Sequence, residues 1–139
     1  MRKAILFILI IVLFVTLFQP AFATTAENIT VSPRYVCINN YAASLTVDES
    51  IGVANCSAWC YSVAGYTVEV SCTLQRKENS TWKTIKSWTS TGLEYASVDG
   101  YWAVYSGYIY RNLVIYTIRD SSGNIIEVES VTRAYNYPG

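Results

Sequence analysis

Residues 66–76, YTVEVSCTLQR, decide the fold: Val68, Val70, Cys72 and Leu74 alternate with Thr67, Glu69, Ser71, Thr73 and Gln75. A period of two, rich in β-branched residues, marks a strand with one face on a core and the other in water. Upstream, Ala43, Leu45 and Val47 repeat the pattern before a turn at 48–52, and Ala54, Cys56 and Ala58 carry it into a next strand that 61–65 links to 66–76. Downstream, the turn-rich tetrad Lys77-Glu78-Asn79-Ser80 precedes a strand over 81–89 centred on Ile85, and a fifth strand is expected over 97–105.

The longest β-rich run is 109–119, with Tyr110, Val114, Tyr116 and Ile118 in phase and Asn112 as the odd member on the apolar side. The loop Asp120-Ser121-Ser122-Gly123-Asn124 suits a hairpin with Gly123 at a positive φ, a register that pairs Ile118 with Ile126 and Tyr116 with Val128. About seven strands with no helical period predict an all-β domain over 35–139, an immunoglobulin/fibronectin III-like β-sandwich. Tyr110, just after a Gly-containing turn at the head of the sixth strand, stands where such sandwiches place a tyrosine corner.

The N-terminus reads as an export signal. Arg2 and Lys3 precede an apolar run over 4–18, and Ala21 and Ala23 supply the small residues a signal peptidase needs, so 1–23 is a signal peptide and 24–34 a flexible N-terminal segment. The run falls short of the roughly 20 residues that span a bilayer, so no stable membrane anchor is expected after cleavage. Losing Arg2 and Lys3 from a chain with 10 basic and 10 acidic residues leaves a weakly acidic protein, which offers no field for nucleic acid. The expected location is extracellular.

Export also bears on Cys37, Cys56, Cys60 and Cys72, because disulfides persist outside the cytosol. Four cysteines allow three pairings. The link at 61–65 brings Cys56 and Cys72 to matching levels on inward positions, which selects Cys56 with Cys72 and leaves Cys37 with Cys60. A zinc site is the rival reading, but the chain has no His and no paired CxxC knuckles, so neither metal nor cofactor is expected.

No residue set advertises catalysis. With no His base and the thiols assigned to disulfides, only carboxylates remain; Glu127 and Glu129 share a face of the last strand, where solubilising charge is the simpler role. Binding is better supplied, by 12 Tyr, 4 Trp and 4 Phe. If 77–80 is a four-residue loop, Ile85 points inward and Trp82 and Trp88 share the outer face near Gln75 and Glu69, an aromatic platform for a glycan or an extracellular protein. Tyr101, Trp102, Tyr105, Tyr108 and Tyr110 form a second concentration, and Leu113 with Ile115 an apolar spot on the outer phase of the sixth strand. The sequons at Asn28, Asn55 and Asn79 carry meaning only in a eukaryotic secretory route.

VEVSCTLQRKENSTWKTIKSW at 68–88, SGYIYR at 106–111 and DSSGN at 120–124 resemble a family of small, uncharacterised secreted β-domain proteins of Gram-positive, clostridium-like bacteria. The resemblance implies export and a single Ser, Thr and Tyr-rich domain, and no activity. The expectation is a secreted, disulfide-stabilised sandwich acting as a non-catalytic binding or interaction module, the alternative being a self-associating, matrix-like structural protein.

Overall fold

Seven antiparallel strands form where the apolar alternation runs. A computed structural model describes residues 36–139, so the expected signal peptide 1–23 and the segment 24–34 lie outside the described residues. The strands are β1 (Ile38–Asp48), β2 (Val53–Ser62), β3 (Thr67–Glu78), β4 (Thr81–Leu93), β5 (Tyr95–Ala103), β6 (Tyr108–Arg119) and β7 (Ile125–Tyr137). They make a three-stranded sheet in the order β1-β2-β5 and a four-stranded sheet in the order β4-β3-β6-β7. Inner residues of both sheets form one core, from Leu45, Cys56 and Val98 on one side to Val70, Tyr110 and Tyr116 on the other, giving a sandwich-like, all-β arrangement. Among the described residues no helix is long and apolar enough to cross a membrane.

Side chains of the four-stranded sheet seal the open edge of β1. Asn112 Nδ2 donates to the Ser44 carbonyl at 2.9 Å, the Tyr116 hydroxyl to that of Ala42 at 2.7 Å and Arg133 Nε to that of Ala43 at 3.1 Å. An uncovered strand edge is a template for unwanted pairing, and these donors occupy the carbonyls of three successive residues of this edge strand. Asn112, the odd residue of its apolar face, therefore points inward like its neighbours and ties the two sheets together. Its Nδ2 also lies 3.8 Å from Cys72 Sγ, while its Oδ1, fully buried, has no protein partner among the described residues.

Tyr110 is fully buried at the head of β6. Its hydroxyl accepts from the Tyr105 N–H and donates to the Tyr105 carbonyl, both at 2.9 Å.

Three expectations need correction. The β3–β4 loop is a two-residue turn, Asn79 and Ser80 both at positive φ, which pairs Lys77 with Trp82. A bulge then breaks the ladder: Leu74 pairs with Lys86 and Gln75 with Thr84, so Ile85 has no opposite number. One extra residue reverses the side-chain alternation beyond it.

The β6–β7 register is one residue from the expected one, with Ile118 opposite Glu127 and Tyr116 opposite Glu129; an irregularity beside Arg119 absorbs Ile126. Ile126 and Val128 are consequently exposed, and Glu127 turns toward β1, where its carboxylate accepts from the N–H groups of Val36, Cys37 and Ile38.

The third correction concerns the disulfides, since Cys37, Cys56, Cys60 and Cys72 are all free and buried. Cys37 is level with Val63, whose N–H it accepts at 2.8 Å, while Cys60 lies opposite Tyr41. Three residues of strand separate the two levels, about 10 Å, beyond the reach of a bridge. Cys56 and Cys72 do face one another across the core, from β2 and β3 in different sheets, close enough for each thiol to feel the other, but they are unbonded. Burial pushes the Cys56 thiol up to about 12, with the Cys72 thiol adding to the shift, and pushes Cys72 to about 11. The Cys60 thiol, buried and near Glu127, rises to about 11.

Candidate functional site

The two expected platform residues lie on opposite sides of their sheet. Trp82, before the bulge, shares the outer face with its partner Lys77, and Trp88, after it, pairs with inward Cys72 and packs against the core. Room for Trp88 comes from β5, where Gly100 presents no side chain; a Cβ built there would collide with the indole. Trp82 is itself covered: the Arg111 guanidinium sits 4.2 Å from its ring centroid and Lys77 Nζ 5.9 Å. Gln75 Oε1 holds Arg111 in place at 2.7 Å. The rest of this outer face is largely hydroxyls, Ser87 bonding Thr73 and Thr89 bonding Ser71, with Leu113 and exposed Ile115 among them.

The uncovered aromatics stand on the outer face of the three-stranded sheet. Alternation along β2 sends Ala54, Cys56, Ala58 and Cys60 inward, and so sends Val53, Asn55, Ser57, Trp59 and Tyr61 out. Cross-strand partners share a face, which adds Tyr95 opposite Tyr61, Ser97 opposite Trp59, Asp99 opposite Ser57 and Tyr101 opposite Asn55. Tyr61 and Tyr95 have ring centroids 4.4 Å apart, and Trp59 meets Tyr61 edge-on at 5.6 Å. Tyr61 and Tyr95 remain 48% and 40% exposed, an apolar cluster open to solvent.

Below them the face is floored by small residues, Ala42, Ser44 and Ser57, the two hydroxyls bonded at 2.7 Å. At the far end Asp99 organises its neighbours: Asn55 Nδ2 donates to Oδ1 at 2.6 Å and the Tyr101 hydroxyl to Oδ2 at 3.2 Å. That bond to a carboxylate raises the Tyr101 pKa, so the phenol stays protonated and oriented. Tyr101 is 61% exposed and projects between two hollows. One, about 360 Å³, is apolar, lined by Val53, Tyr101, Trp102 and Ala103. The other, about 310 Å³, mixes Thr46, Asp48 and Asn55 with Ile51, Val53 and Tyr101.

None of the outward residues of β1, β2 and β5 is Lys or Arg, while Asp48 and Asp99 are both acids. Sequence reading missed this surface because Trp59 and Tyr61 lie in β2 and Tyr95 in β5, and only the β2–β5 pairing gathers them. The alternation of Ala and Cys against Asn, Ser, Trp and Tyr along 53–62 is the signal that could have found half of it.

Among the described residues no cluster of His, Cys, Asp or Glu has the geometry to hold a metal ion. Glu127, one of the two carboxylates weighed for acid–base work, is engaged by backbone N–H groups. No protein-family model matches the chain, and no curated protein matches it either.

Proposed function

We propose that the chain is a secreted, non-catalytic binding module of immunoglobulin/fibronectin III type that engages a glycan or an extracellular protein through the outer face of its three-stranded sheet. One observation carries the reading: Tyr61 and Tyr95 stand exposed with half-buried Trp59 against them, on strands whose outward residues include no Lys or Arg, next to pre-oriented Asn55, Asp99 and Tyr101. Large rings give contact area at low entropic cost, and exposed aromatic clusters concentrate where proteins bind. The strand order, β1-β2-β5 over β4-β3-β6-β7, and the Tyr110 corner support the fold type. The N-terminal sequence and the resemblance to secreted proteins of clostridium-like bacteria support export, and thiols this buried, with raised pKa, are poor nucleophiles and slow to oxidise outside the cell.

The test presents the purified protein with wall polysaccharides and extracellular proteins of the producing organism. Capture by the wild type and by Trp82→Ala, with loss in a Tyr61→Ser/Tyr95→Ser double variant, is the expected outcome. No capture, or capture indifferent to the double variant, overturns the proposal. Exposed Ile115 and Val128 on the opposite sheet favour self-association as a second reading. Concentration-dependent assembly weakened by Val128→Ser would establish that reading in place of the first.

A further inference from the structure

Resting on the binding-module reading and naming its ligand, we infer that the two hollows flanking Tyr101 form a subsite for a neutral pyranose unit of an extracellular polysaccharide. A pyranose is amphipathic, with C–H bonds over its faces and hydroxyls around its edge. Tyr101 separates hollows of matching character, about 360 Å³ walled by Val53 and Trp102, and about 310 Å³ carrying Asn55 and Asp48. Both hollows are shallow and open to solvent, as suits a ligand lying along the surface, and between them they combine an apolar wall with a few convergent polar groups.

Tyr101 is also held ready. Asp99 fixes its hydroxyl and the Asn55 amide together, so the ring and the hydrogen-bonding edge beside it are positioned before a ligand arrives. A carboxylate that accepts beside an amide that both donates and accepts suits vicinal hydroxyls.

Charge decides which sugars enter. Asp48 and Asp99 line or adjoin the hollows, and the outward positions of β1, β2 and β5 hold no Lys or Arg. Lys86, from β4, lies 4.8 Å from the Trp102 ring centroid and is engaged there. A uronate or sulfate seated beside Asp48 and Asp99 would meet like charge, with Lys86 held over the far Trp102 wall, whereas a neutral sugar meets no such repulsion. The face continues from Tyr101 past Ser57 to Trp59 and Tyr61, six residues of β2 or about 20 Å, long enough to carry several sugar units of one chain.

Isothermal titration with cellohexaose, xylohexaose, mannohexaose and chitohexaose, and with polygalacturonate as the anionic comparison, tests the assignment. At least one neutral hexaose should bind and polygalacturonate should not. Tyr101→Ala should weaken the neutral sugar by at least about tenfold, the loss of one stacking ring, and Tyr101→Phe by only about threefold. Trp82→Ala should leave it unchanged. Tyr101 is exposed, so an unchanged denaturation midpoint in Tyr101→Ala confirms that the fold survives. Binding of none of the neutral hexaoses, preference for polygalacturonate, or indifference to Tyr101→Ala overturns the assignment. If the Tyr61→Ser/Tyr95→Ser variant still abolishes capture of a protein while no sugar binds, the binding face stands and the ligand class alone is wrong.

Discussion

The two sheets divide the work of filling the sandwich unequally. The four-stranded sheet sends bulk into the core: Val68, Val70, Leu74, Tyr110, Tyr116, Ile118 and the Trp88 indole. The three-stranded sheet adds Ile38, Leu45 and Val98, but its central strand and much of β5 answer with small side chains, Ala54, Cys56, Ala58, Cys60 and Ala96, and with Gly100 beneath Trp88. Interiors reach crystal-like density, so large residues on one wall leave room only for small ones opposite. Trp59, Tyr61, Tyr95 and Tyr101 thus stand on the outer surface. On the other sheet the outward Trp82 is covered by Arg111 and Lys77, and hydroxyls floor the rest. An aromatic residue's availability here follows from which sheet supplies the core.

The sharpest way to break this comparison uses two tryptophans six residues apart on one strand. Trp88→Ala empties the space over Gly100 and should cost about 3 kcal/mol, within the range for truncating large core residues. Trp82→Ala removes only two cation–π contacts and some outer-face area, and should cost less than about 1 kcal/mol. Urea denaturation of the two variants reads the difference. Equal costs would mean that the bulge at Ile85 does not set the orientation of Trp88.

That bulge is also where the sequence stopped being legible. Alternation along 66–76, 109–119 and the flanking segments was enough for the all-β, seven-stranded domain, because a half-buried strand writes its period directly into residue type. A bulge leaves no such mark. Nothing in TWKTIKSW announces that Ile85 will be skipped, and a single skipped residue moved Trp88 from the solvent to the core. The β6–β7 slip has the same origin, since Ile126 and Glu127 compete for the inward position and the backbone N–H groups of 36–38, distant in sequence, give it to the carboxylate. Cys56 and Cys72 could be placed inward from pattern, but whether two facing thiols are joined is not written in the alternation. The aromatic surface was hidden for a related reason: β5 pairs with β2 across more than thirty intervening residues.

A smaller effect probes how the four-stranded sheet holds its bulk in place. Tyr110→Phe keeps the ring and deletes a hydroxyl that both accepts from and donates to Tyr105. Losing both bonds beside partly buried backbone groups should cost about 2 kcal/mol. A midpoint unchanged in urea would show that solvent replaces the corner. The hydroxyl bonds the β5–β6 connection and lines neither hollow, so any sugar affinity should persist in this variant.

The small side chains of the other wall predict a dependence on alkaline pH. Cys56 is raised to about 12 and Cys72 to about 11, chiefly by burial, whereas an unfolded thiol ionises near about 8.5. Below that value both states carry the proton and the thiols add no pH dependence. Above it the unfolded chain loses protons that the folded core retains, so stability falls as pH rises, and continues to fall until the folded thiols ionise. Each thiol should remove about 1 kcal/mol by pH 9.5, a slope of about 1.4 kcal/mol per pH unit. Tyrosines and lysines titrate nearby, so the comparison is between wild type and Cys56→Ala, whose denaturation midpoint should fall less steeply from pH 8.5 to 10.5. A parallel pair of curves would mean that Cys56 has no ionisable thiol, the result that a bond to Cys72 would give; labelling of all four cysteines after unfolding without reductant separates the two cases.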